Sequence, residues 1–534
     1  MAYDIVIKNA RVIDGTGSPW FRADIGIADG KIRNMGIIPK ADAKQFIDAE
    51  GMAACPGFID LHNHSDITAP ALPGCESNIM QGITTAVVGN CGLSMAPVNK
   101  QSIGLLKEYL APFLVKDFDY GWDWQTLGEY NENINRTQIA MNLVPLVGHG
   151  TLRIAVAGFK NEPLSAQEME KMKRLLAESL EDGAFGMSSG LIYPPGCYAP
   201  SEELIELGAV LSAYGKVYTT HIRDEADQLI ESVEEAIRVG EQNGIPVQIS
   251  HHKAIGEKNW GKVRTTLKMM ETARKRGVDI SCEAYPYIAG STTITSILPI
   301  WVMEGGVEQM LQRLGQIEIR EKIIRELEES GNDIKSAGWD GVVIASCPPK
   351  PSYEGKSLET IVAEKNSTDS PYAVFIDLLL EISGNSTVVK FFMDETDVKH
   401  VLSNPLSAII SDSWSTTPLT GGKPHPRCYG TFPRVLGKYV REEKLMPLET
   451  AVQKMTSLPA SKIGLFDRGV IKRGLQADIV VFDPEKISDQ ATFETPHQYP
   501  VGIAYIMVNG NIAVENGKQN PLRFGKVLSC TDNG

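Results

Sequence analysis

At 534 residues the chain exceeds what one hydrophobic core usually supports, so a large unit with a smaller second domain is expected. Its hydrophobic and charged fractions, 43% and 22%, are those of a soluble globular protein. A net charge of −14 argues against nucleic acid or an anionic membrane as partner, although a local basic cluster can still receive a small anion.

Residues 3–50 read as short alternating strands, in "YDIVIKNARVID" and "ADIGIADGKIRNMG", with Asp29-Gly30 as a hairpin turn. The first ten residues carry charges and no apolar core for export. No run approaches the ~18 apolar residues a membrane span needs. The eight cysteines are scattered without a CxxC pair, which is not a disulfide framework. A reducing cytoplasm is therefore the expected location.

Eight strand candidates follow in the middle of the chain: "GFIDLHNH", "TTAVVGN", "IAMNLVPLVG", "AFGMSSG", "VYTTHI", "PVQISHH", "DISCEAYPY" and "SAIISDS". Helical stretches separate most of them, such as "SAQEMEKMKRLLAESLEDG" and "DQLIESVEEAIRVGEQNG". The second puts Leu229, Val233 and Ile237 on one face and ends at a glycine. Eight such units predict an α/β chain built on a (β/α)8 TIM-type barrel. One connection breaks the rhythm: roughly 120 residues separate Pro286 from Ser407, against the few of an ordinary loop. This predicts an insertion between strands 7 and 8, over about 296–350, acting as a lid or specificity element. At its start, Ile300, Trp301 and Met303 point either to an apolar pocket or to ordinary insertion core.

The end of the chain returns to short strands, "ADIVVFDP" and "GIAYIMVNGNIAVENGK", with Asn516-Gly517 as a second hairpin turn. Two β-rich ends around a different centre predict one small β-sandwich domain built from residues 1–55 and 471–534, with the barrel over 56–470.

The chemistry-bearing residues sit where the predicted strands end. His62 and His64 close strand one; positions i and i+2 of a strand face the same way. Cys91 closes strand two, His221 strand five, His251 strand six and Asp412 strand eight. Taken singly, each has a plain structural explanation: a buried cysteine packs as a small hydrophobe, and an aspartate after an apolar run caps a helix. In a barrel, however, those ends converge on one site. Four of only nine histidines, one thiol and one carboxylate meeting there indicate a transition-metal site, with zinc the best fit. His252 should point away from His251 and be structural. His149 is open between substrate contact and a bond within its loop. His400, His425 and His497 read as surface or loop residues.

Here "PGFIDLHNHSD" resembles the amidohydrolase superfamily, and "TSLPASKIGLFDRGVIKRGLQADIVVFD" resembles the segment that closes its composite β domain. "VVGNCGLS", "GAFGMSSGLIYPPG", "THIRDE", "ISHHK", "EAYPYIAGST" and "GKPHPRCYGTFPRVLG" together resemble the N-acyl-D-amino-acid deacylases, or D-aminoacylases, over nearly the whole chain. Many superfamily members bridge two metals with a carboxylated lysine on strand four; "GAFGMSSGL" has none, and the deacylases are similar in using a strand-two cysteine, which Cys91 matches. The resemblance implies one tight zinc on Cys91, His221 and His251, and a second, weaker divalent metal that His62 and His64 could hold. It implies Asp412 as the catalytic base and acid; were another residue to take the proton, Glu225 and Glu283 are the next candidates. It implies that Lys253 and Arg427 take the substrate carboxylate, with Tyr193 and Ser291 as hydroxyl donors. Arg223 could join them or pair with Asp224 or Glu225. The family tends to place glycine after the aspartate, whereas this chain has Ser413 and a longer loop.

The implied reaction is zinc-dependent hydrolysis of a small-molecule N-acyl-D-amino acid, with neither nucleic acid nor membrane as partner. A cyclic-amide hydrolase of the dihydropyrimidinase or dihydroorotase kind shares the fold and the HxH motif, but the missing lysine and Cys91 count against it. A metal-free scaffold protein would require broken ligand positions, and all of them are intact.

Overall fold

The computed structural model describes residues 3–39 and 42–530. The chain opens with β1 (Tyr3–Val12), β2 (Phe21–Ala28), β3 (Lys31–Gly36), β4 (Ala43–Asp48) and β5 (Ala53–Pro56). The β2–β3 hairpin turns at Asp29 and Gly30, with φ of 51° and 71°. Both central residues thus have the positive φ that the tight hairpin turn demands.

The middle of the chain contributes β6 (Phe58–Asp60), β7 (Ile83–Val88), β8 (Asn142–Pro145), β9 (Val147–Gly148), β10 (Gly186–Gly190), β11 (Val217–His221), β12 (Val247–Ile249) and β13 (Ile280–Ala284). Next come β14 (Ala289–Thr293), β15 (Val342–Ser346), β16 (Thr387–Phe391) and β17 (Ser407–Ile409). The last strands are β18 (Ile479–Phe482), β19 (Ile503–Val508), β20 (Asn511–Glu515) and β21 (Lys518–Gln519).

Two parallel sheets organise the centre, in the orders β6-β7-β8 and β9-β10-β11-β12-β13-β17. Their strands are buried along their whole length, as expected of parallel strands covered on both faces. Helices cover them. Ala166–Glu181 begins at a capping box in which Ser165 and Glu168 satisfy each other's backbone N–H groups. Leu229–Asn243 buries Leu229, Val233 and Ile237 and stops at Gly244 in the left-handed region. The fold is thus of mixed α/β class, with Leu146 alone between β8 and β9 and a parallel bridge from Asn63 to Ser413 joining the two sheets' outer strands.

The insertion is wider than the 296–350 span read from the sequence. It starts at β14, which pairs antiparallel with β16, which in turn pairs with β15. It has its own core, including Ile294, Val302, Met310, Ile323, Ile344 and Leu379. The boundary was illegible because β14 is completed by a strand that follows it only after several helices. Both termini form one nine-stranded sheet, β21-β20-β19-β18-β5-β1-β2-β3, with β4 also on β1. The segment after it leaves that sheet: Val527 bridges Leu143, and Leu528 N donates to Leu143 O at 2.8 Å. The end of the chain therefore braces the central strands, not the terminal sheet alone.

Phe58 belongs to the large central core. It is fully buried and stacks on Phe432 with ring centroids 5.3 Å apart. Phe58→Ala is expected to cost about 3–5 kcal/mol, read as a lower urea midpoint; an unchanged midpoint would show that the stack does not hold the fold.

Candidate metal centre

The turn after β7 explains a thiol set between glycines. Cys91 and Gly92 are consecutive left-handed residues, with φ of 52° and 74°. A Cβ on Gly92 would sit 2.9 Å from Gly190 N, and one on Gly190 would sit 2.1 Å from Cys91 O. The mouths of β7 and β10 therefore touch backbone to backbone, and Cys91 is turned into the interior. Asn90 Nδ2 holds the turn by donating to Val87 O at 2.9 Å.

Around Cys91 Sγ stand His62 Nε2 at 3.2 Å, His251 Nε2 at 3.5 Å and His221 Nδ1 at 3.7 Å. His62 and His64, two residues apart, both face this point, with rings 5.3 Å apart. Asp412 Oδ1 lies 3.5 Å from His62 Nε2 and 3.4 Å from His64 Nε2. Like Cys91, His251 and Asp412 hold positive φ, 34° and 50°. Non-glycine residues adopt this region at a cost, and such positions gather at functional sites.

Two carboxylates orient the rings from behind. Glu283 Oε1 accepts from His62 Nδ1 at 2.6 Å, and Glu225 Oε1 accepts from His251 Nδ1 at 3.0 Å. Lys253 Nζ donates to the same Glu225 oxygen at 2.6 Å. Carboxylates placed so fix an imidazole's tautomer and raise its basicity toward a metal. The sequence reading had Glu225 and Glu283 only as reserve proton acceptors. The available signal was their position, each acidic and near a strand end, but the ring nitrogens they reach belong to other strands.

The residues called from the sequence come together around one cavity of about 70 Å³ whose wall includes Tyr193, Lys253, Ser291 and Arg427 beside His64, Cys91, His221, His251 and Asp412. Tyr193 OH bonds Thr292 Oγ1 at 2.8 Å. Arg427 Nη1 pairs with Asp412 Oδ2 at 2.7 Å, while its Nε has no hydrogen-bond partner among the described residues. Ser291 Oγ is likewise buried and unpartnered. Tyr285, which the sequence reading did not single out, lies under Arg427, 4.9 Å from ring centroid to guanidinium. Buried donors without partners on a cavity wall mark a place prepared for an acceptor.

The other residues considered from the sequence lie outside the cluster or behind it. His425 is not a surface residue: it is fully buried, its Nε2 donates to Ala289 O at 2.9 Å, and its Nδ1 accepts from Arg427 N at 3.0 Å, so it seats Arg427. Arg223 pairs with Glu235 at 2.9 Å, outside the cluster, because Glu235 lies on the adjacent helix. His149 bonds Glu203 at 2.8 Å, away from the cavity. Tyr429 holds His497 at 2.8 Å. His252, bonded to Thr266 at 2.8 Å, is structural. Ser413, in place of the family's glycine, accepts from Asn78 at 2.9 Å and belongs to a network with Ser411 and Asn63 that anchors the loop.

The electrostatics call for a cation. Burial disfavours ionising Cys91, but His62, His221 and His251 outweigh it and bring the thiol well below its ordinary range. Burial likewise opposes ionising Asp412, yet Arg427 and His62 hold it well below the usual carboxylate range. Burial opposes charging His64 too, and Asp412 with Cys91 still raises it to about 9. Protons on His62 and His64 thus face a buried thiolate and carboxylates, while burial keeps His221 neutral. Cys91, His221 and His251 place their ligand atoms within 4.8 Å of one another, and so do His62, His64 and Cys91. A thiolate and imidazoles at that spacing suit zinc.

The amidohydrolase family model matches residues 45–294 and 378–514. The chain is 36% identical to the D-aminoacylase of Alcaligenes xylosoxydans xylosoxydans over 529 residues, 99% of this chain and 98% of that one. Among solved structures it is similar to a D-aminoacylase studied for its binuclear metal centre, with one-metal activation and second-metal attenuation: 35% identity, TM-score 0.82, 99% of this chain and 100% of that one. It is also similar to the N-acyl-D-glutamate deacylase of Bordetella bronchiseptica, solved with zinc and a phosphonate mimic of the tetrahedral intermediate. There the identity is 33% and the TM-score 0.84, over 99% and 100% of the two chains.

Cys91→Ala should lose tightly held zinc after exhaustive dialysis while the fold persists, and His62→Asn should keep about one zinc per chain. Metal content by elemental analysis decides; full zinc retention in Cys91→Ala would make the thiol a packing residue.

Proposed function

The chain belongs to the amidohydrolase family, and we propose that it is a zinc-dependent hydrolase of N-acyl-D-amino acids, releasing a carboxylate and a free D-amino acid. One observation carries this reading: a thiol–imidazole cluster, an ionised Asp412 and the unpartnered donors of Arg427 and Ser291 share one cavity. Cys91, His221 and His251 would hold the tight zinc, and His62 with His64 a second, weaker ion. When bound, the metal polarises the acyl carbonyl and acidifies water at neutral pH.

The remaining roles belong to the chain. Asp412 accepts the proton of the attacking water and returns it to the departing amine nitrogen, so the C–N bond breaks with a neutral leaving group. Arg427, with Lys253 and the hydroxyls of Ser291 and Tyr193, receives the α-carboxylate; a guanidinium suits a bidentate grip. Fixing the carboxylate relative to the scissile carbonyl leaves one hand of the α-carbon able to react. The strand-four segment Gly186–Gly190 carries no lysine, which sets the site apart from the cyclic-amide reading.

The finer architecture belongs to the same proposal. The Asn63–Ser413 bridge and the single residue between β8 and β9 support eight strands closing into a barrel over 56–470. A separate core of Ile7, Ile25, Ile47, Ile479 and Met507 supports a small β sandwich from 1–55 and 471–534. The small acylated amino acid is the partner, with neither nucleic acid nor membrane involved; no helix among the described residues is long and apolar enough to cross a membrane. A cytoplasmic location fits the eight free cysteines.

A panel of N-acetyl-D- and N-acetyl-L-amino acids tests the activity. Turnover should be confined largely to the D-series, and equal or faster turnover of N-acetyl-L-methionine would sink the reading. Asp412→Asn should lower kcat by at least a thousandfold with zinc retained; near-full activity would move the proton transfer to Glu225 or Glu283.

A further inference from the structure

The reaction cavity holds one charged pair that the hydrolysis does not use. Lys390, in β16, and Asp333 both line it, and Lys390 Nζ donates to Asp333 Oδ2. The lysine is the deeper partner, its side chain 4% exposed against 23% for the aspartate. Asp333 also borders a neighbouring space of about 620 Å³ that runs past Ile300 and Trp301.

The pair stands on the wall that receives the α-carboxylate. β14 and β16 run antiparallel with Gly290 opposite Lys390, so both belong to one face of that sheet, and Thr292, two residues on, shares it. Two contacts show where this face looks. Thr292 Oγ1 bonds Tyr193 OH at 2.8 Å, and a Cβ on Gly290 would sit 3.3 Å from the hydroxyl of Tyr285, whose ring lies under Arg427. Lys390 is thus set beside the groups that take the carboxylate, whereas the metal ligands come from the central strands. The α-carbon that bears the carboxylate also bears the amino acid's side chain.

The pair keeps open hydrogen-bonding capacity. An ammonium has three N–H donors. Lys390 gives one to Asp333 and one to Ser296 Oγ at 3.2 Å; apart from the Phe392 ring, 5.5 Å away, no third partner stands among the described residues. Asp333 Oδ1 likewise has no hydrogen-bond partner among them. One donor and one acceptor, on groups whose charges cancel, therefore remain available to the cavity.

We propose that Lys390 and Asp333 read the side chain of the D-amino acid and select a carboxamide, that of D-asparagine or D-glutamine; this rests on the deacylase reading of the same site. A carboxamide oxygen accepts from the ammonium, and its NH2 group donates to the carboxylate. An acidic side chain would set its second oxygen against Asp333, and a basic one would face Lys390. An apolar chain would cover both groups and satisfy neither.

The test uses the zinc-loaded enzyme and the Nα-acetyl derivatives of D-glutamine, D-asparagine, D-glutamate, D-lysine and D-methionine. For the better amide, kcat/KM should exceed that of each of the other three by roughly tenfold or more. Asp333→Asn leaves the ammonium uncompensated and should raise the glutamate-to-glutamine ratio by roughly tenfold. Lys390→Met should raise the lysine-to-glutamine ratio to a similar extent. Damage to folding lowers all substrates alike and does not move these ratios. Turnover of the methionine or glutamate derivative as fast as the better amide overturns the proposal while the deacylase reading stands, and so do ratios that neither variant moves. No turnover of any derivative would overturn the deacylase reading and the proposal together.

Discussion

The fold is organised around a thiolate and carboxylates buried where water cannot stabilise them. Removing such charges from water costs several kcal/mol each unless partners replace the solvent. Cys91, Glu225 and Asp412 are all at most 6% exposed. Each is answered from a different element: imidazoles from the ends of β6, β11 and β12, Lys253 beyond β12, and Arg427 from the helix that follows β17. Only a topology that gathers many strand ends at one place can supply so many partners. A divalent ion held by these ligands would displace imidazole protons, which links metal affinity to the same constraint.

Holding that cluster also requires strained backbone. Cys91, His251 and Asp412 each sit in the left-handed region, at roughly 1–3 kcal/mol apiece. The strain is tolerated because the surroundings leave no alternative. Asp412 N donates to His62 O at 3.0 Å, and His64 N donates to Ser413 O at 2.8 Å, so the mouths of β6 and β17 are laced together. Asp60 adds to this seam by accepting from Asn63 Nδ2 and Ser411 N, each at 2.9 Å. Ser413 takes part in the seam through its hydroxyl, which is why the departure from glycine after Asp412 does not loosen the loop.

The insertion completes the cavity that the parallel strands begin. Ser291, Thr292, Asp333, Lys390 and Phe392 come from it or from its edge, and together they face the metal ligands. Lys390 is buried and bound to Asp333, so this wall is itself held by an ion pair within the insertion. The division of labour follows from packing. Ligands on the buried strand ends have little freedom, whereas the insertion has a separate core and can vary in shape without disturbing them.

The sequence by itself determined the central parallel strands, because fully buried parallel strands read as continuous apolar runs. It also determined the metal-ligand candidates, because each lies at the end of such a run and the topology brings those ends together. It pointed to the composite terminal sheet through alternation and two Asx-Gly turns. Only the tertiary structure decided which ring nitrogen faces inward, since that depends on Glu225 and Glu283 meeting His251 and His62 from other strands. The same holds for the left-handed backbone at Cys91, set by the approach of Gly190, and for His425, buried because Ala289 and Arg427 close over it. The insertion's true extent waited on β16 pairing with β14. Local periodicity records which face of an element is buried; it carries no record of what lies on the other side of the contact.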